Sequence, residues 1–234
     1  MQRNQSRSKI ILTKKVNRLD LRKLHSRLLT EDMINVYVGA KCKKFHLHNG
    51  LLSDRSDFFR KALGGGFQEQ DERAVYLPDE DVGAFELFVR WIYGAPLRAP
   101  SDLDSFTRHL ALYVMAEKFC MEPLKNLLMD AIRTYYRFNG IRGGPEQMEY
   151  VYENTPADSS LRLFLVRAAA YGVVARINQE LPKNFLELLK KGGDVAADFT
   201  SALLRSSAIR PRTTAPSMEL DCAYHEHKST KSCV

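Results

Sequence analysis

The stretch "CAYHEHKSTKSC" near the C-terminal end spaces Cys222, His225, His227 and Cys233 as C-x2-H-x-H-x5-C. Two thiolates and two imidazoles are a complete tetrahedral donor set for zinc. The spacing departs from the common C-x2-C plus H-x3–5-H arrangement, and alternate histidines make the loop tight. Zinc held there would also order the segment, because metal affinity in such a chain is folding free energy. Without metal, residues 207–234 read as a flexible tail, since "SSAIRPRTTAPS" just ahead of the motif has linker composition. Zinc in this tail is the one cofactor candidate; no other cofactor is implied.

A second cluster is "FHLHNGLLSDRSDFFRKAL", residues 45–63. His46 and His48 alternate, so in a strand they share a face and could hold a metal together. Nothing nearby in sequence supplies further ligands. Ser53, Asp54, Ser56 and Asp57 stand where an apolar helical run begins, and suit helix starts better than a nucleophile with its orienting acid. No P-loop, G-x-S-x-G elbow, dinucleotide glycine fingerprint or H-E-x-x-H is present. "GGGF" at residues 64–67 follows a helix pattern rather than opening one, so it is not a phosphate cradle. The expectation is a protein without catalytic residues, not an enzyme.

These clusters need elements to position them. The chain has 234 residues with 44% hydrophobic content, enough for one or two small domains with a core. No run of about 18 apolar residues offers a membrane span. Nine basic residues against Asp20 alone occupy residues 1–30, more positive charge than the +7 of the whole chain, so the remainder is near neutral. This arm could touch nucleic acid, an acidic partner or an import receptor, or be a solvated face. Its apolar set, Leu12, Val16, Leu19, Leu21, Leu24 and Leu28, predicts a basic amphipathic helix. The start lacks a secretory core and cleavage site, and a mitochondrial address is a minor alternative. Of four cysteines, Cys42 lies in a strand pattern and Cys120 in a helix pattern, pointing to a reducing compartment, cytoplasm or nucleus.

Alternation predicts a hairpin from "INVYVGAKCKKFHL": Val36 and Val38 alternate with Asn35 and Tyr37, Gly39-Ala40-Lys41 supplies the turn, and Phe45 and Leu47 alternate with Lys44 and His46. A helix follows, with Ser53 or Asp54 as cap and Phe58, Phe59, Ala62 and Leu63 on its buried side. "AVYLP" is a short strand, and Val82, Phe85, Phe88, Val89 and Ile92 make one face of a helix stopped by Gly94 and Pro96. A helix pair comes next, with Pro123 near the start of the second. The fold class is α+β. Beyond "NGIRGG" the pattern is all helical, including a helix capped by Asp158 with Leu161, Phe164, Leu165, Ala168, Ala169 and Gly172 on one face.

Phe45, Leu47, His48, Leu51, Leu52, Ser56, Phe58 and Phe59, followed by "GGFQE", "VYLPDEDVGAFELFVRWIY" and "LYVMAEKF", resemble the BTB/POZ domain in order and spacing. The likeness covers about residues 31–137 and is nearest to BTB proteins of filamentous fungi with a helical C-terminal extension. It implies a short β-sheet flanked by helices; by the charge and helical patterns above, a basic arm and helix (1–30) precede it and a helical extension (144–206) follows. It gives His48, Ser56, Phe58 and Phe59 structural roles, with His48 a buried hinge between strand and helix. It also implies protein partners: Phe67 and Glu69 would contact a cullin scaffold of a ubiquitin ligase. Leu21, Leu24, Leu28 and Asn35 would lie at a homodimer interface. The family has Ser-Asp where this chain has Ile34-Asn35, and Asn keeps hydrogen bonding without the charge, which bears on dimerisation. The function so implied is an interaction module, scaffold or adaptor, with no membrane role. The alternative is a nuclear regulatory protein whose basic arm contacts nucleic acid or an import factor. Against nucleic acid, no base-reading motif is recognisable.

Overall fold

A computed structural model describes residues 32–64, 73–139, 144–175, 180–208 and 214–233. The basic segment with Leu21, Leu24 and Leu28, and the stretch with Phe67 and Glu69, lie outside the described residues. Strand β1 (Met33–Val38) pairs antiparallel with β2 (Lys43–His48), Val36 opposite Phe45, and parallel with β3 (Ala74–Leu77). The sheet order is β2-β1-β3. Ile34, Val36 and Val38 are buried and their neighbours half-buried, the period-two pattern of a strand with one covered face.

The hairpin turn needs unusual backbone. Gly39 has φ +74°, and a Cβ there would lie 2.8 Å from Val82 Cγ2. Cys42 has φ +49° and is exposed. It is therefore a turn residue, not the strand residue expected. Cys120 is likewise not helical: it sits at φ +54° in the turn between two helices, exposed.

The helix after β2 is two helices, α1 (Asn49–Arg55) and α2 (Asp57–Gly64). Ser56 separates them in extended conformation and is buried. Its hydroxyl donates to the Phe119 carbonyl at 3.1 Å and accepts from Phe59 N–H at 3.4 Å. Ser56 thus starts α2, whereas Ser53 lies inside α1 and donates to Asn49 Oδ1 at 2.9 Å. The expected Ser53 or Asp54 cap is corrected accordingly. Phe59 is fully buried, but Phe58 is 36% exposed and stacks on Phe119 at 4.7 Å.

Then come α3 (Val82–Ile92), α4 (Leu103–Lys118) and α5 (Glu122–Asn139). Asp81 caps α3 by accepting from Ala84 N–H at 2.7 Å, and Asp102 with Ser105 forms a capping box on α4. The extension is α6 (Pro145–Asn154), α7 (Ser160–Ala175), α8 (Lys183–Lys190) and α9 (Gly193–Ala208). The α+β class holds, with a small sheet and helices throughout.

At α7 the cap is Ser159, whose Oγ accepts from Leu161 N–H, rather than Asp158. The helix is also buried beyond one face: Arg162, Val166 and Ala170 are covered together with the predicted stripe. Arg162 donates to the Tyr152 carbonyl at 2.6 Å, to Thr155 Oγ1 at 3.1 Å and to Asp194 at 3.2 Å. A buried guanidinium is tolerated because each such donor has an acceptor.

One core runs through sheet, domain helices and extension. Two aromatic series organise it. Phe45, Phe85, Phe88 and Phe59 pack between sheet, α2 and α3. Phe106 of α4, Tyr136 of α5, Phe164 of α7 and Tyr224 follow one another at 5.7, 4.9 and 5.3 Å. Each fully buried ring contributes roughly 1.5–3 kcal/mol by leaving water. Tyr224 belongs to the segment expected to be a flexible tail. Residues 214–233 instead fold back through two 3-10 turns, Pro216–Met218 and Asp221–Ala223, and lie on α5. They do so because α5 offers polar partners for a segment poor in apolar side chains.

Candidate functional site

Helix α5 carries Glu122, Asn126, Asp130, Arg133 and Arg137 at intervals of three and four, so they form one stripe. The returning segment pairs with this stripe residue by residue. The Glu122 carboxylate accepts from the N–H groups of Lys228 at 2.9 Å, Ser229 at 2.9 Å and Thr230 at 2.8 Å. It also accepts from the Thr230 hydroxyl at 2.6 Å. Burial acts to raise the Glu122 pKa, but the Thr230 hydroxyl and the N–H groups of Ser229, Thr230 and Lys228 outweigh it and hold the carboxyl below its ordinary value.

Beside it, Asn126 Oδ1 accepts from Glu226 N–H and Asn126 Nδ2 donates to the Glu226 carbonyl. Lys125, almost wholly covered, donates to both Glu226 oxygens at 2.7 Å and to Glu117 at 2.9 Å. Burial alone would lower the Lys125 pKa; Glu226 and Glu117 more than compensate and raise it. Lower on the stripe, Arg133 donates to the Glu219 carbonyl and Arg137 to that of Ser217 at 2.7 Å. Tyr224 is 1% exposed, lies edge-on to Phe164, and has the guanidinium groups of Arg133 and Arg167 near its ring at 5.4 and 5.7 Å.

Three of the four predicted metal ligands come together on this platform, and His225 meets that group at Cys233. The ligand atoms of Cys222, His227 and Cys233 lie within 4.8 Å of one another. Cys222 Sγ is 3.5 Å and Cys233 Sγ 3.8 Å from His227 Nε2, and His225 Nδ1 is 3.1 Å from Cys233 Sγ.

The other clustered groups have separate uses. His46 Nδ1 meets Asn35 Oδ1 at 3.0 Å, whereas His48 Nδ1 meets Tyr93 Oη at 2.8 Å, so the two histidines are not held together as a ligand pair. His48 is half-buried rather than buried. Asp57 pairs with Arg60 at 2.6 Å. A groove lined by Asp81, Glu86, Asp104, Arg108 and Tyr150 has its acids engaged structurally: Asp81 caps α3, Glu86 pairs with Lys43 and Asp104 with Arg108. No described helix is long and apolar enough to cross a membrane.

Residues 24–135 match the BTB/POZ domain; its described residues form the β2-β1-β3 sheet, α1 to α4 and most of α5. The chain contains a BTB/POZ domain. The BTB domain is a protein-interaction domain. The chain is also 29% identical over 85 residues to "ARM repeat protein interacting with ABF2" of Arabidopsis thaliana. The match covers 36% of this chain and 11% of that protein.

Of the residues given roles in the BTB domain, Ser56 and Phe59 lie in its core, Phe58 at the core's edge, and Asn35 on the outer face of β1. The stripe on α5 was not anticipated. Its residues have the spacing and polarity of a solvated helix face, and only the distant acceptors and donors at 217–230 reveal that it is covered.

Proposed function

We propose that this chain is an adaptor or self-associating scaffold that works by docking other proteins on its BTB domain, without chemical turnover. The observation that carries this reading is an aromatic pair on the outer face of the sheet. Tyr76 of edge strand β3 is 57% exposed and stacks on Tyr37 of β1 at 4.9 Å, 10° from parallel. A rigid, half-wet aromatic pair on a sheet edge is a suitable anchor for a partner chain. Phe67 and Glu69 lie shortly before that strand in sequence.

The finer reading is that this edge, with Phe67 and Glu69, engages a cullin scaffold. Phe67 would be the apolar anchor and Glu69 the carboxylate at the rim. The likeness to helically extended BTB proteins of filamentous fungi agrees with an extension, α6 to α9, that widens the contact. Homodimerisation through Leu21, Leu24, Leu28 and Asn35 belongs to the same reading, and the cytoplasm or nucleus is its compartment. Affinity purification of the full chain from its native cell tests it. A cullin should co-purify, and Phe67→Ala and Glu69→Ala should each lower its recovery about tenfold or more. Undiminished recovery with both variants overturns the cullin assignment.

A second reading rests on the excess positive charge of residues 1–30. In it the arm binds nucleic acid or an import factor. DNA affinity would then fall steeply with added salt and vanish when residues 1–30 are deleted.

A further inference from the structure

We propose that Cys222, His225, His227 and Cys233 form a structural zinc site that locks residues 222–233 onto α5. Three sulfur–nitrogen distances already approach those of a filled site. Zinc–sulfur bonds of about 2.3 Å and zinc–nitrogen bonds of about 2.05 Å, set tetrahedrally, place sulfur and nitrogen about 3.5 Å apart. The sulfur–nitrogen separations here are 3.5, 3.8 and 3.1 Å. Cys222, His227 and Cys233 already form a tight group; His225 touches it at Cys233 and closes on the other two ligands when the metal binds.

The outer hydrogen bonds are those a metal-binding histidine requires. His225 turns Nε2 to Asp130 Oδ1 at 2.9 Å, which leaves Nδ1 toward Cys233. His227 turns Nδ1 to Thr230 Oγ1 at 3.3 Å, which leaves Nε2 toward both sulfurs. Thr230 is held in turn by Glu122. Each imidazole thus has one ring nitrogen oriented by a carboxylate, directly or through a hydroxyl, while the other faces the cluster. Asp130 and Glu122 both come from α5, so the helix supplies the outer layer and the tail the ligands.

The donor set selects the metal. Two thiolates offset the charge of a divalent ion, and thiolate with imidazole suits zinc rather than magnesium or calcium, which take oxygen ligands. The segment also has a use for the metal. Tyr224 is its deeply buried apolar side chain, and a loop so poor in core residues gains order from a cross-link.

The test is metal analysis of the full chain, produced with zinc supplied and purified without chelator. Elemental analysis should give about one zinc per chain, and the cobalt-substituted protein should show the intense visible bands of a tetrahedral site with thiolate charge transfer. Cys222→Ser combined with Cys233→Ser should abolish both, and chelation of the unaltered protein should speed hydrogen exchange of amides 222–233 about tenfold or more while α4 stays protected. The wild-type measurement decides even if the double variant fails to fold. Well below one zinc per chain, a Cys222–Cys233 disulfide in place of metal, or a weak octahedral cobalt spectrum overturns the site. None of these results bears on partner binding by the BTB domain, which is tested separately.

Discussion

Asn126 and Glu226 hold each other twice, from positions 100 residues apart. The Asn126 side-chain oxygen accepts from Glu226 N–H at 2.9 Å, and its amide donates to the Glu226 carbonyl at 2.8 Å. The side-chain amide thereby takes the place of a neighbouring strand, satisfying both backbone groups of one tail residue. Since an unpaired buried backbone group is costly, this pair fixes the register of the tail on α5.

Asn126→Ala should therefore loosen the tail before the domain. Leaving the Glu226 N–H unpaired costs about 1–3 kcal/mol, while its carbonyl keeps the Thr230 hydroxyl as a donor. Hydrogen exchange should show amides 224–230 opening about tenfold or more faster, with β1 and α4 unchanged. Equal protection in variant and wild type would show that the pair contributes nothing.

Acid should release the same segment through Glu122. Its folded pKa lies below the ordinary value of 4.5, so the folded state favours the carboxylate. The stabilisation is complete above that ordinary value and is lost as the pH falls through the lowered folded value. Protection of amides 228–230, taken relative to the intrinsic exchange rate at each pH, should fall toward the acid end. Glu122→Gln should show weak protection already at neutral pH and lose this part of the pH dependence. The difference between the two profiles isolates Glu122 from Asp130 and Glu117, which also face the tail, and from Glu226, His225 and His227 within it.

Tyr224→Ala removes the last ring of the Phe106–Tyr136–Phe164 series. A cavity in place of a fully covered aromatic costs about 3–5 kcal/mol. Urea unfolding should show that loss if tail and core unfold together. A midpoint unchanged from wild type would mean that the tail leaves first and the core does not depend on it.

Ser56→Ala removes the buried hydroxyl that joins the α1–α2 break to the Phe119 carbonyl. The expected loss is about 1–3 kcal/mol, read as a lower denaturant midpoint at unchanged slope. Ser56→Thr should give back part of it, since the hydroxyl is retained.

Much of the BTB domain is legible in the chain because alternation and helical spacing report burial directly. Val36 and Val38, or Phe85, Phe88 and Ile92, announce the face they bury. What escapes is decided by partners distant in sequence. The Ser56 break depends on a carbonyl 63 residues away, and the His48 ring on a hydroxyl 45 residues away. The Cys/His motif is visible by residue type, but its support by Asp130 and Glu122 is not. Polar residues carry no sign of whether water or protein satisfies them, so the stripe on α5 and the tail each look solvated until they are brought together.

Helix α5 is therefore pinned on two sides, by Tyr136 against Phe106 and Phe164 and by Glu122, Asn126 and Asp130 against the tail. One residue inserted within it would turn everything downstream by about 100° and misalign both sets together. Length changes that a surface helix would absorb are closed to this one, and its outward-looking polar positions have as narrow a choice of amino acid as its core.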